Sequence, residues 1–225
     1  MSELEKQLRI YRFFSKAEIE RSANEILQRM QAKNFILKSP FDVTRVADFL
    51  EVSICYAIIP PDEEGPIVAK ILRQERTIIL NKDICEFHNK LSSSTIAHEI
   101  GHWVLHQVNQ DEVETLSEQH KNNSNFEKKG DIFLCRLASE QLDRYSLNKQ
   151  ENWVEWQAQY FATCLLMPRY ILEEKRMGRN LTNWSHFYAM ADELGVTLSN
   201  LTNRLQDLGW VYIPKGSRQI YPGKG

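Results

Sequence analysis

His98 and His102 close an H-E-x-x-H, His98-Glu99-Ile100-Gly101-His102, inside the segment Thr95–His106. On a helix, residues four apart leave the same face about one turn apart, so both imidazoles can offer a neutral nitrogen to one ion. Zinc accepts such nitrogens at about 2.0–2.1 Å. Glu99 points about 100° round the helix from His98. It stands beside the ion rather than on it, where it can take a proton from a water that the ion activates. The chemistry implied is metal-assisted hydrolysis. The four defining letters alone also fit a solvated helix face, but Ile96, Ala97, Ile100, Val104 and Leu105 supply an apolar side suited to burial. The run Ser92-Ser93-Ser94-Thr95 offers oxygens to cap the first turn.

A catalytic zinc needs three protein ligands and one open position. A third ligand about 20 residues after the second histidine would fall near Glu118, His120 or Asn122, but the polar stretch 111–131 reads as a loop or frayed helix. A stronger candidate is Glu155. Ala158, Phe161, Ala162, Leu165 and Leu166 recur at helical spacing, and Glu155 lies one turn before Ala158 on the same side. A buried carboxylate there needs a positive partner, which an ion on a facing helix would provide. Glu155 is equally compatible with a surface place at a helix start, where negative charge is favourable.

The string T-I-A-H-E-I-G-H-W-V-L-H (95–106), followed by E-x-x-A-x-x-F-A-x-x-L-L-M-P (155–168), closely resembles the ImmA/IrrE metallopeptidases. The resemblance extends upstream to Phe41–Leu50 and to Ile78–Asn81, and it covers roughly residues 15–210. It implies that His98, His102 and Glu155 ligate one Zn2+ and that Glu99 is the catalytic base. It implies a gluzincin-type endopeptidase that cuts helix-turn-helix transcriptional repressors at specific sites and so switches gene expression. The distance from His102 to Glu155 is longer than in compact members, the excess being the polar stretch of about 107–149.

The other histidines read differently. A metzincin third ligand would fall on Val108, which excludes that class. His106 continues the histidine face with some drift and is expected to support the site rather than ligate. His88, His120 and His186 read as isolated histidines. Tyr160, Arg144, Tyr145 and Arg169 are candidates for stabilising the oxyanion, a task worth a few kcal/mol in comparable sites.

The remaining chain must position these groups. The 225 residues, 42% hydrophobic and 26% charged, suit a globular protein with a sizeable core. A net charge of −2 gives no general pull toward nucleic acid or anionic membrane. No apolar run approaches the ~20 residues of a membrane span, and Met1–Lys6 lacks the apolar region of a signal peptide. Cys55, Cys85, Cys135 and Cys164 form no C-x-x-C and are expected as buried free thiols. A cytoplasmic location is expected.

Ser15 followed by Glu18 is a capping-box signature, after which Ile19, Ala23, Ile26, Leu27 and Met30 mark a helix. A short helix is expected over 43–50, capped by Asp42. Strands are expected over 52–58, 66–72 and 77–81, joined by short links as an antiparallel meander. An edge strand beside the motif helix is expected to hold an extended substrate peptide. A helical turn over 83–91 should lead into the motif helix, and Pro168 should end the Glu155 helix.

Phe187, Met190, Ala191 and Leu194 mark one further helix, and Leu198, Leu201, Leu205 and Leu208 another, across Gly195-Val196-Thr197. Residues 210–213 and 219–221 should pair as a hairpin. That outline is helix-turn-helix-like. Its second helix carries Arg204 as its one cation, opposed by Asp207, so protein docking or packing is favoured over direct nucleic-acid binding.

The expected fold class is therefore α+β. A mostly helical, zincin-like (gluzincin) catalytic domain with a small three-stranded antiparallel sheet spans 1–170, and a helix-turn-helix-like unit spans 171–225. The expected partner is a protein substrate, with no membrane. The alternative is a catalytically silent zinc-containing regulator that binds a repressor or DNA through its C-terminal unit.

Overall fold

The computed structural model describes residues 12–63, 65–85, 89–106, 132–136 and 150–224. Its described elements make an α+β protein, largely helical, with a four-stranded mixed sheet and a separate two-stranded ribbon. No helix among the described residues is long and apolar enough to cross a membrane.

Helix α1 (Lys16–Ala32) starts where the capping box requires. The Glu18 amide donates to Ser15 Oγ, and Glu18 Oε2 accepts from the Ser15 amide at 2.8 Å. Its buried stripe is Ile19, Ala23, Ile26, Leu27 and Met30. A short helix α2 (Thr44–Phe49) follows, and Asp42 accepts from both the amide and the hydroxyl of Thr44.

Strands β1 (Ser53–Ala57), β2 (Ile67–Leu72) and β3 (Thr77–Asn81) fall where expected, but they are not a meander. The sheet order is β1-β3-β2-β4, with β1 parallel to β3 and β2 antiparallel to β3. Two residues explain why β1 pairs with β3. At one end, the Ser53 amide donates to the Arg76 carbonyl at 2.7 Å, while the Arg76 guanidinium donates to the carbonyls of Leu50 and Glu51. The two strands are thus pinned start to start. At the other end, buried Asn81 donates from Nδ2 to the carbonyls of Ile59 and Ile67, fixing both ends of the proline-containing β1–β2 connection.

The fourth strand, β4 (Ile132–Arg136), pairs antiparallel with β2 and corrects the three-stranded expectation. It lies within the stretch that reads as polar excess, yet the run Ile132-Phe133-Leu134-Cys135 after Gly130-Asp131 carries the usual marks of a strand.

A short helix α3 (Lys82–Cys85) precedes the motif helix α4 (Asn89–Leu105). The serine run does not cap α4, because α4 starts earlier and carries it inside. Ser92 Oγ donates instead to the Cys85 carbonyl at 2.7 Å, and Ser94 Oγ donates back to the Leu91 carbonyl. Helix α4 packs on one side against β2 and β3. On the other it packs against α5 (Gln150–Leu166), the most extensive contact between helices among the described residues. Pro168 then starts α6 (Arg169–Arg176) rather than merely ending α5.

Helices α7 (Trp184–Leu194) and α8 (Leu198–Asp207) follow, capped by Asn183 and Thr197 and joined through Gly195 at φ 68°. The left-handed backbone there suits glycine. The ribbon β5 (Val211–Tyr212) and β6 (Tyr221–Pro222) closes the fold. These C-terminal helices are tied to the rest. Ser39 Oγ donates to the Glu193 carbonyl, Lys90 pairs with Asp192, and Lys16 pairs with Asp207.

Candidate metal centre

Helices α4 and α5 bring His98, His102 and Glu155 to one point, with all three ligand atoms within 4.8 Å of one another. His98 Nε2 and His102 Nε2 are 3.0 Å apart. Glu155 Oε2 lies 3.1 Å from His98 Nε2, and Glu155 Oε1 lies 3.2 Å from His102 Nε2. Ligand atoms on a tetrahedral ion with bonds of about 2.0–2.1 Å stand about 3.3 Å apart. These separations, the last two to different oxygens of one carboxylate, match that to within a few tenths of an ångström. Two histidine nitrogens and one carboxylate are also the donor types that a catalytic zinc accepts, so the residues present fit the ion.

The approach of the two helices has a specific cause. Gly101 faces the backbone of Ala158, and a Cβ at position 101 would sit 2.8 Å from the Ala158 carbonyl oxygen and 3.0 Å from its Cα. Glycine inside a helix costs about 1 kcal/mol relative to alanine. Here its missing side chain lets α5 lie close enough for Glu155, one turn before Ala158, to meet both histidines.

No protein-family model matches the chain, and no curated protein matches it. The function must therefore be argued from the site.

Burial is uneven across the cluster. Glu99, His102 and His106 are essentially inaccessible, whereas the Glu155 side chain is 43% exposed. Among the described residues, the cluster is closed at the histidines and more exposed on the carboxylate side. Burial raises the cost of a charge on Glu155, but hydrogen bonds from His102 and His98 outweigh it and hold the carboxyl well below its usual range. Burial also opposes a charge on His98. The Glu155 hydrogen bond, the Glu99 and Glu155 charges, and Gln159 one turn further along α5 reverse that and raise its pKa. His102 is lowered, chiefly by burial. His106 is pushed down to about 3, first by burial and then by His102 and Arg73, so it is neutral under ordinary conditions.

His106 is not in the triangle. It stacks at an angle on His102, and its Nδ1 lies 3.2 Å from His102 Nδ1, behind the ligand. Arg73, just after β2, donates to the His102 carbonyl at 3.2 Å and anchors the end of α4 to the sheet. Neither Gly101 nor Arg73 stands out in the sequence as part of the site. Glycine at an interior position of an apolar helix face is the one signal that could have flagged the close approach.

The oxyanion candidates fare differently. The Tyr160 hydroxyl donates to Asp207 at 2.7 Å, away from the ligands. Arg169 is exposed at the start of α6, beyond a helix that runs about 16 Å on from Glu155. Neither is brought to the triangle. His186 is structural, its Nδ1 accepting from the Asn180 amide. Glu118, His120, Asn122, Arg144, Tyr145 and His88 lie outside the described residues.

Arg204 is buried rather than displayed on α8. Its side chain pairs with Glu20 of α1 and reaches the Tyr160 hydroxyl of α5 at 3.4 Å. It has no surface from which to read nucleic acid. Among the cysteines, Cys85 and Cys164 are buried and free, and burial raises both thiols, Cys164 to about 12. Cys55 departs from expectation and is exposed, because β1 is an edge strand with most of its side chains in solvent.

Proposed function

We propose that this protein is a zinc-dependent endopeptidase of the ImmA/IrrE type, acting on a helix-turn-helix repressor. The observation that carries the hydrolytic part is the half-open triangle. Structural zinc sites are closed by four protein ligands, whereas catalytic ones use three and leave a face accessible. Among the described residues, two buried histidines and a half-exposed carboxylate follow the second pattern. When bound, zinc would supply Lewis-acid activation of water and of the scissile carbonyl.

The chain's own residues supply the rest. His98 and His102 hold the ion from the closed side, and Glu155 holds it from the neighbouring helix. Glu99 is buried on the same helix, close enough to act on the charge of His98. It takes the proton of the attacking water and passes it to the leaving amine. The repressor as substrate rests on the motif resemblance alone.

The test has two stages. Zinc content is measured on purified wild type, His102→Ala and Glu155→Ala. One ion per wild-type chain, lost in both variants, supports the site. Wild type and Glu99→Gln are then incubated with candidate helix-turn-helix repressors and the products mapped by mass spectrometry. Cleavage by wild type and none by a zinc-loaded Glu99→Gln supports the enzyme. Sequestration of a repressor, unchanged in Glu99→Gln and without any cleavage, would favour the silent regulator instead.

A further inference from the structure

We infer that His106 is a positioning residue that sets the ring tautomer of His102, and that this rests on the metal site proposed above. A neutral imidazole has one protonated and one free nitrogen, and only the free one can ligate. His102 turns Nε2 toward Glu155 and His98, and Nδ1 toward His106. For Nε2 to ligate, the ring proton must sit on Nδ1 and needs an acceptor. At 3.2 Å, His106 Nδ1 is placed to be that acceptor, and both rings are buried away from water. His106 then carries its own proton on Nε2.

The usual partner for a metal-ligating histidine is a carboxylate or a carbonyl, which can only accept. Histidine differs because Nδ1 can accept or donate. Without an ion, the opposite arrangement is available: His102 Nε2–H donates to Glu155 Oε1, and His106 Nδ1–H donates to His102 Nδ1. The hydrogen bond between the two rings is thus kept in both states, with its direction reversed. Loading requires three proton moves: the Nε2 proton leaves His102, the proton of the shared hydrogen bond passes from His106 Nδ1 to His102 Nδ1, and His106 takes up a proton at Nε2, so both rings stay neutral. Placement on the helix makes this possible, since His106 follows His102 by four residues and its amide donates to the His102 carbonyl at 3.1 Å.

The experiment compares zinc affinity, by chelator competition, in wild type, His106→Gln and His106→Leu, with metal-free thermal melts confirming that each variant folds. Glutamine can accept or donate, and leucine can do neither. His106→Leu should bind zinc roughly 10–100-fold more weakly, and His106→Gln should recover most of the loss. Nitrogen-15 NMR of the histidine rings in zinc-loaded wild type should show His102 protonated at Nδ1 and His106 at Nε2. Wild-type affinity in His106→Leu, equal weakness in both variants, or a His106 proton on Nδ1 in the loaded protein would each overturn the inference. Failure of wild type itself to bind zinc would instead sink the metal site.

Discussion

Gly101→Ala isolates the helix contact that brings Glu155 to the histidines. The added Cβ would meet the Ala158 carbonyl oxygen at 2.8 Å, where ordinary contact begins at 3.4 Å. Backbone on both sides cannot rotate away, so the helices must part by about 0.6 Å. Metal–ligand distances tolerate only about ±0.2 Å. The ligand triangle should open, and zinc affinity should fall on the order of 30-fold, within the range for disturbing a metal's surroundings. Metal-free stability should change little, because alanine's helix preference of about 1 kcal/mol offsets part of an overpacking cost of about 1–3 kcal/mol. The assay is the thermal shift on adding zinc. At a zinc concentration of about 100 times the wild-type Kd, wild type gains about 2.7 kcal/mol, or roughly 5–11 °C for a chain of this size. The variant should gain about 0.9 kcal/mol, roughly 2–4 °C. Full wild-type gain in Gly101→Ala would refute the argument that this glycine sets the geometry of the site.

Other expectations follow from the same structure. Zinc must displace the proton from His98, whose pKa is raised above 6.5. The zinc-induced thermal shift should therefore grow as pH rises through and above that range and shrink toward about pH 6; a shift independent of pH would contradict the electrostatics described for His98. Arg204→Met leaves Glu20 facing an uncharged buried side chain, so denaturant melts should show a loss of about 3 kcal/mol; a loss under 1 kcal/mol would mean that the pair is not the tie between α1 and α8. Purified wild type should show no salt-dependent affinity for duplex DNA in a fluorescence titration, since Arg204 is buried. Alkylation of native protein should label Cys55 well ahead of Cys85 and Cys164, as mass spectrometry would read.

What was legible in the sequence was local. The capping box at Ser15, the His98/His102 spacing and the turn at Gly195 each involve residues within a few positions of one another, and each has the expected form. Spacing leaves Glu155 open between a metal ligand and a surface place, and the packing of α5 on α4 brings its carboxylate beside the two histidines. Non-local pairing was not legible. Whether β1 joins β2 or β3 depends on Arg76 and Asn81 reaching across the sheet, and neither side chain announces that role in a hydropathy pattern. β4 had a readable signal that its polar surroundings masked. Arg204 shows the reverse failure. A cation on a short amphipathic helix reads as surface, and only its partner on α1, 184 positions away, reveals it as interior.

His98 and Glu155 are 57 positions apart, so an ion held between them is also a cross-link. It closes a long loop of chain, and part of its value to the folded state is the disorder it removes from the unfolded one. Loop-closure entropy grows only with the logarithm of length, about 0.6 kcal/mol per doubling. The four-residue step from His98 to His102 therefore tolerates no change, while the chain between the two ligand helices can lengthen or shorten at almost no thermodynamic cost, provided β4 keeps its register with β2. A chain built this way can acquire new sequence between the two helices without rebuilding the candidate centre itself.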